Sequence, residues 1–225
     1  MARAIDYALY LVTDRAAARG RGLAGIVRAA VQGGVSVVQL RDKDVSIRDS
    51  LRLALELRAL LEPLGVPLIV NDRLDLALAC GAAGVHLGQD DLPCELARRL
   101  VDADCLIGVS VSTPEEARRA TGEGADYLGV SPVFDTPTKR DTPTATGLAG
   151  LAAIRDVTHL PLIAIGGLNV GNAGSVMAAG ADGIAVVSAL MAAADPAAAA
   201  RALRLAIARG RARLTPFPSR EGAIS

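Results

Sequence analysis

Aromatic residues are nearly missing: the 225 residues include no Trp, two Phe and three Tyr, 2% in all. So few rings exclude the stacking platforms on which single-stranded nucleic acids are bound. An excess of charge is missing as well. Lys plus Arg and Asp plus Glu both number 24, a formal net charge of zero, which removes any global electrostatic reason to bind nucleic acid or an anionic membrane. Cysteine is scarce too: Cys80, Cys94 and Cys105 are odd in number, without CxxC spacing. A disulfide framework or zinc site of that kind is therefore not expected, and a reducing, cytoplasmic compartment is the simplest home. The longest uncharged run, Leu160–Ala181, is broken by Gly166, Gly167, Gly171, Gly174 and Gly180 and by Asn169 and Asn172. Such a run reads as strand, turn and helix rather than a lipid-facing helix, so no membrane association is expected. The apolar stretch near Met1 is interrupted by Asp6 and Asp14 and lacks a signal-peptide layout.

Hydrophobic residues make up 51% of the chain, enough for a large core. They fall into short β-branched runs alternating with longer Ala/Leu/Arg runs. The strands expected are Ala8–Thr13, Val35–Leu40, Pro67–Val70, Gly84–Leu87, Leu106–Ser110, Asp126–Val130, Pro161–Ile165 and Asp182–Val187. Amphipathic stretches such as Ile47–Glu62, Pro93–Val101, Thr113–Glu123 and Asn169–Ala179 lie between them. Apolar strands alternating with helices indicate a parallel sheet covered on both faces. Eight such units, about 28 residues each, suit a closed (β/α)8 TIM barrel. An open doubly wound sheet is the alternative, but Thr13-Asp14-Arg15 lacks the dinucleotide glycine fingerprint expected in its first βα turn. An internal echo supports the barrel: Gly33-Gly34, Gly81, Gly124-Ala-Asp126 and Gly180-Ala-Asp182 each close a helix and lead into a strand. We read 1–209 as one barrel domain and 210–225 as a flexible tail.

In a parallel barrel the chemistry sits at the C-terminal strand ends, and the unusual polar residues gather there. Gln39, Arg41 and Lys43 alternate, so they share one side of an extended chain and suit a clamp on an anion. The bland alternative is a solvated charged loop, since Asp42 and Asp44 lie alongside. Asp72 and Asp91 end neighbouring strands and suit Mg²⁺, which takes one or two carboxylates plus waters and phosphate oxygens. Alternatively each caps the helix that follows. Gly166-Gly167 and Val187-Ser188 stand where barrels hold phosphate on backbone N–H groups, or else they are tight turns and a serine cap. The loop 131–146, with Thr136-Pro137-Thr138-Lys139, is long enough for a substrate-covering lid, and a plain surface loop is the other reading. His86, within a strand, reads as a hydrogen-bonded core residue more readily than a catalyst; His159 reads as structural. No Ser/His/Asp or Cys/His grouping converges on the catalytic face.

Taken in order, Gln39-Leu-Arg-Asp-Lys43, Val70-Asn-Asp72, Gly84-Val-His-Leu-Gly-Gln-Asp-Asp91, Gly108-Val-Ser110, Thr136-Pro-Thr-Lys139, Ile165-Gly-Gly167 and Val187-Ser188 closely resemble the thiamine-phosphate synthase family. The resemblance implies condensation of 4-amino-2-methyl-5-(diphosphooxymethyl)pyrimidine with 4-methyl-5-(2-phosphoethyl)thiazole, giving thiamine phosphate and pyrophosphate. It further implies that Gln39, Leu40, Arg41, Asp42, Lys43, Asn71, Ser110 and Lys139 contact the pyrimidine diphosphate, Arg41, Lys43, Ser110 and Lys139 being the catalytic set. Asp72 and Asp91 would hold Mg²⁺, and Thr136, Pro137, Thr138, Gly167, Val187 and Ser188 would bind the thiazole phosphate. The partners are then phosphorylated small molecules. A paralogue that isomerises a thiazole phosphate would need neither the metal carboxylates nor the diphosphate clamp. A phosphate-ligand sensor would need a partner surface or an extra domain, and the sequence shows neither.

Overall fold

Side chains on successive strand residues point to opposite faces, and here the two faces meet different surroundings. In the computed structural model, which describes residues 5–42, 45–135 and 145–212, Leu9 and Leu11 pack outward in the main apolar cluster while Tyr10 and Val12 point into a second, inner one. The strands are β1 Leu9–Val12, β2 Val37–Leu40, β3 Leu68–Asn71, β4 Gly84–Leu87, β5 Leu106–Val111, β6 Tyr127–Val130, β7 Leu162–Ile165 and β8 Gly183–Val186. Each pairs in parallel with the next, and β1 pairs with β8 (Leu9 opposite Ile184), so the sheet closes into a barrel. The barrel interior is filled by Tyr7, Tyr10, Val12, Val37, Ile69, Tyr127, Ile163 and Ala185.

The helices are α1 Arg15–Ala18, α2 Leu23–Gln32, α3 Ile47–Leu61, α4 Leu74–Cys80, α5 Cys94–Leu100, α6 Pro114–Gly122, α7 Gly147–Arg155, α8 Ala173–Ala178, α9 Ser188–Met191 and α10 Pro196–Arg211. Asp14, Ser46, Thr113 and Asp195 cap α1, α3, α6 and α10 through side-chain oxygens. α8 starts later than the expected Asn169–Ala179, because asparagine side chains compete for the backbone there. Asn169 Oδ1 accepts from Gly171 N, and Asn172 Oδ1 accepts from Asn169 N, both at 2.8 Å. At the other end, α10 runs through Gly210 and Arg211, past the expected boundary at 209. Gly210 is buried there because α8 crosses it: a β-carbon at 210 would lie 2.7 Å from Gly174 Cα.

The internal echo has a structural cause at the N-terminal end of the barrel. Gly124 and Gly180 have φ of 93° and 103°, where a β-carbon is penalised. Each leads to an aspartate that accepts a backbone amide at the start of the preceding strand: Asp126 from Ile107 N at 2.7 Å and Asp182 from Leu162 N at 2.8 Å. Arg98 on α5 and Arg155 on α7, the helices that lead into β5 and β7, complete the pairs with Asp126 and Asp182. Among the described residues no helix is long and apolar enough to cross a membrane.

Candidate active site

The inward residues nearest the C-terminal strand ends line a cavity of about 360 Å³. Its floor is apolar (Ile163, Ile165, Ala185, Val12), and its walls carry Gln39, Arg41, Asn71, His86, Ser110 and Ser131. Alternation decides which motif residues take part. Gln39 and Arg41 point inward, whereas Leu40 is buried under the helices and Asp42 is turned outward to Arg15, held by two bonds of 2.5 and 2.8 Å. Asp42 therefore fixes α1 to the strand end instead of lining the cavity. Gln39, Arg41, Asn71, Ser110, Gly167, Val187 and Ser188 are brought together in one place. Lys43, Thr136, Pro137, Thr138 and Lys139 lie outside the described residues.

Arg41 reaches the cavity held at its own rim. Its guanidinium bonds Asp14 Oδ2 at 2.9 Å, while Asp14 Oδ1 accepts from Ala17 N at 2.8 Å. One carboxylate thus both caps α1 and orients the arginine. Opposite, Gly166 and Gly167 have φ of 106° and 64°. Side chains there would collide with the start of the β6–α7 loop: a β-carbon at 166 would lie 2.7 Å from Pro132 Cβ, and one at 167 would lie 2.7 Å from Asp135 O. Asn172 Nδ2 donates to Gly167 O at 2.9 Å and pins the turn from below. Ser188 opens the short α9; the cap position is Val187, and Ser188 makes no side-chain cap bond.

Asp72 and Asp91 do not line this cavity but follow the ends of the paired strands β3 and β4, where Asn71 stands opposite His86. The cap positions of α4 and α5 are held by Arg73 and Pro93. Asp72 takes the left-handed conformation (φ 62°), and its amide donates to His86 O at 2.8 Å. Asp91 Oδ2 accepts from Gly88 N at 2.6 Å, closing a turn. Among the described residues no three His, Cys, Asp or Glu gather into a metal cage. Two carboxylates on adjacent strand ends remain, a donor set that fits Mg²⁺ completed by water and phosphate oxygens.

Three residues that the sequence left in the core, Tyr10, Tyr127 and His86, form the polar heart of the cavity. Tyr10 and Tyr127 hydroxyls lie 3.0 Å apart, and His86 Nδ1 is 3.2 Å from Tyr127 Oη. His86 Nε2 is 2.9 Å from Ser110 Oγ. Burial pushes the phenols of Tyr10 and Tyr127 well above their usual range, so both stay protonated. A tyrosine in an apolar run gives no sign, in sequence, of the hydroxyl partner it will meet across a barrel. His159, by contrast, is exposed before β7. The thiols are unsuited to nucleophilic work, since burial raises Cys80 and Cys105 and takes Cys94 to about 11.

This cavity lies within the stretch, residues 9–190, that matches the family model for thiamine monophosphate synthase. The chain belongs to the thiamine monophosphate synthase family. It is 59% identical over 196 residues to the thiamine-phosphate synthase of Albidiferax ferrireducens, covering 87% of this chain and 90% of that one. It is 56% identical to the enzyme of the same name from Syntrophomonas wolfei, covering 88% and 95%. Among solved structures, a thiamine phosphate pyrophosphorylase from Pyrococcus furiosus superposes with a TM-score of 0.84 at 38% identity, covering 92% of this chain and 98% of that one. A 3-hexulose-6-phosphate synthase shares the barrel alone, with a TM-score of 0.69 at 20% identity.

Proposed function

We propose that this member of the family joins 4-amino-2-methyl-5-(diphosphooxymethyl)pyrimidine to 4-methyl-5-(2-phosphoethyl)thiazole, releasing pyrophosphate and forming thiamine phosphate. The family match across residues 9–190, which contain the whole cavity wall, carries this reading. The chemistry asked of the site agrees with its contents. The nucleophile is a thiazole ring nitrogen with its own lone pair, so no base has to remove a proton. The difficult step is departure of the diphosphate from a methylene whose cation the aminopyrimidine stabilises. Catalysis then rests on placing two substrates together and stabilising charge on the leaving group.

In this reading Arg41, steadied by Asp14, receives the diphosphate on one side of the mouth, with Lys43 and Lys139 contributing further charge. Gln39, Asn71 and Ser110 meet the pyrimidine end, and Gly167, Val187 and Ser188 receive the thiazole phosphate opposite; the resemblance adds Thr136, Pro137 and Thr138, which lie outside the described residues, to the thiazole phosphate contacts. Asp72 and Asp91 would hold Mg²⁺, which when bound neutralises charge developing on the diphosphate. The substrates are small and phosphorylated, as the family's reaction requires. Incubating the purified protein with both substrates and Mg²⁺ tests the proposal: thiamine phosphate and pyrophosphate should appear in equal amounts. Product formed without the pyrimidine substrate, or rearrangement of the thiazole phosphate alone, would favour the isomerase reading.

A further inference from the structure

Five side chains from five strands form a hydrogen-bonded file across the barrel interior. Gln39 Nε2 on β2 donates to Tyr10 Oη on β1 at 2.9 Å, and Tyr10 Oη is 3.0 Å from Tyr127 Oη on β6. Tyr127 Oη is 3.2 Å from His86 Nδ1 on β4, and His86 Nε2 is 2.9 Å from Ser110 Oγ on β5. The amide at one end sets the direction, because an N–H donates and cannot accept. The Tyr10 oxygen accepts that bond, so its own proton goes to the Tyr127 oxygen. The reverse arrangement would leave a buried hydroxyl proton unmatched, at a cost of about 1–3 kcal/mol. Tyr127 in turn donates to His86 Nδ1. A neutral imidazole that accepts at Nδ1 carries its proton on Nε2 and donates from there. Ser110 Oγ accepts this bond, and its own O–H is left to turn toward the cavity that Ser110 lines.

We propose that Tyr127 and His86 are positioning residues that fix the polarity of Ser110, making its hydroxyl a donor to a lone pair on the bound pyrimidine diphosphate. The acceptor is a ring nitrogen or a diphosphate oxygen, and the identity of this ligand rests on the function proposed above; the polarity of the file does not. The imidazole has little freedom to escape this role. β-carbons at Gly108 and Gly129 would stand 2.5 Å from His86 Nδ1 and 2.9 Å from His86 Cε1, so the ring occupies a slot that two glycines leave. It also packs beside the Tyr127 ring, with centroids 5.5 Å apart and the planes tilted by 34°. Raised phenol pKa values keep protons on both tyrosines, as the file requires.

The tautomer is read first, on ligand-free wild-type protein, from the ring ¹⁵N shifts of His86. A His159→Gln variant assigns the signals, since the chain has two histidines. The Nε2–H form is expected; the Nδ1–H form would reverse the file and overturn the proposal. A kinetic cycle follows, with Tyr127→Phe, Ser110→Ala and the double variant. Loss of one hydrogen bond should lower kcat/KM about tenfold in Tyr127→Phe. The double variant should then be no worse than Ser110→Ala alone; losses that multiply would show that Tyr127 acts by packing and sink the idea. Calorimetry of Ser110→Ala with pyrophosphate and with 4-amino-5-hydroxymethyl-2-methylpyrimidine separates the acceptors. Weaker pyrophosphate binding points to a diphosphate oxygen, and weaker binding of the alcohol points to a ring nitrogen. Unchanged binding of both would overturn the role of Ser110. A wild-type protein that makes no thiamine phosphate would defeat the proposed function while leaving the tautomer result standing.

Discussion

Gly108 on β5 faces Tyr127 on β6 so closely that a β-carbon at 108 would fall within the phenol ring's own space, and it would stand 2.5 Å from His86 Nδ1. The glycine is there for room, since its φ is not in the left-handed range. Gly108→Ala must therefore displace Tyr127 or His86. Overpacking of this kind costs about 1–3 kcal/mol, or roughly 2–12 °C in Tm for a chain of this size. Gly25, exposed within α2 with nothing within 4 Å of a β-carbon, is the control. Gly25→Ala should stabilise by about 0.5–1 kcal/mol. Thermal unfolding of both variants checks the pair, and an unchanged Tm in Gly108→Ala would mean that the slot has slack.

The three tyrosines, Tyr7, Tyr10 and Tyr127, all sit in the inner cluster, and burial raises each phenol above its ordinary value near 10. A group whose folded pKa is raised gives stability that is present below the unfolded pKa and is lost as pH climbs through the folded one. Stability should thus hold up to about pH 10 and decline above it, as unfolded chains ionise phenols that folded chains do not. With no Trp in the chain, tyrosinate absorbance reports this cleanly. We expect no tyrosinate signal near pH 10 until the fold is lost; a reversible native titration there would contradict the burial described.

These examples show which parts of the molecule were legible in sequence. Short β-branched apolar runs and the repeated helix-closing glycines marked the strands, because both follow from local backbone physics. Gln39 and Arg41 alternate in the chain, and that alternation carries them into one cavity. Leu40 and Asp42 share the motif but face the other way, to the helices and to Arg15. A motif names neighbours in sequence; the pleat decides which of them face the cavity. The file from Gln39 to Ser110 escaped notice because it joins five strands through contacts 24 to 117 residues apart in sequence. Asp14 escaped for a similar reason, since its cap of α1 hides its second bond to Arg41.

Asp91 closes the Gly88 turn, and under the proposed function it would also carry charge for a metal. Asp91→Asn keeps an oxygen that accepts from Gly88 N while removing the charge. We expect a Tm within about a degree or two of wild type and a kcat lower by about 10²-fold or more, the scale of one lost preorganised electrostatic group. EDTA should abolish turnover of the wild type, and Mg²⁺ should restore it. Full activity in Asp91→Asn, or turnover indifferent to EDTA, would remove the metal assignment.

Arg41 and Ser188 stand on opposite sides of the β1 strand end, one after β2 and one after β8, and both line the same cavity. If each serves a different phosphate, their variants should fail differently. Ser188→Asp places a carboxylate before a bound phosphate dianion and should raise KM for the thiazole phosphate by about tenfold or more. KM for the pyrimidine diphosphate should stay nearly unchanged. Arg41→Ala should show the opposite bias, sharpened because it leaves the Asp14 carboxylate uncompensated at the rim. Adding Asp14→Asn should recover part of that loss. An asparagine still caps α1 through the bond that Ala17 N now makes to Asp14 Oδ1, and it brings no charge. Two-substrate steady-state kinetics, backed by calorimetry with each ligand alone, reads the split. Should Ser188→Asp weaken both ligands equally, the two-site assignment fails. Should Asp14→Asn recover nothing, Asp14 contributes position to Arg41 and its charge has no bearing on the diphosphate.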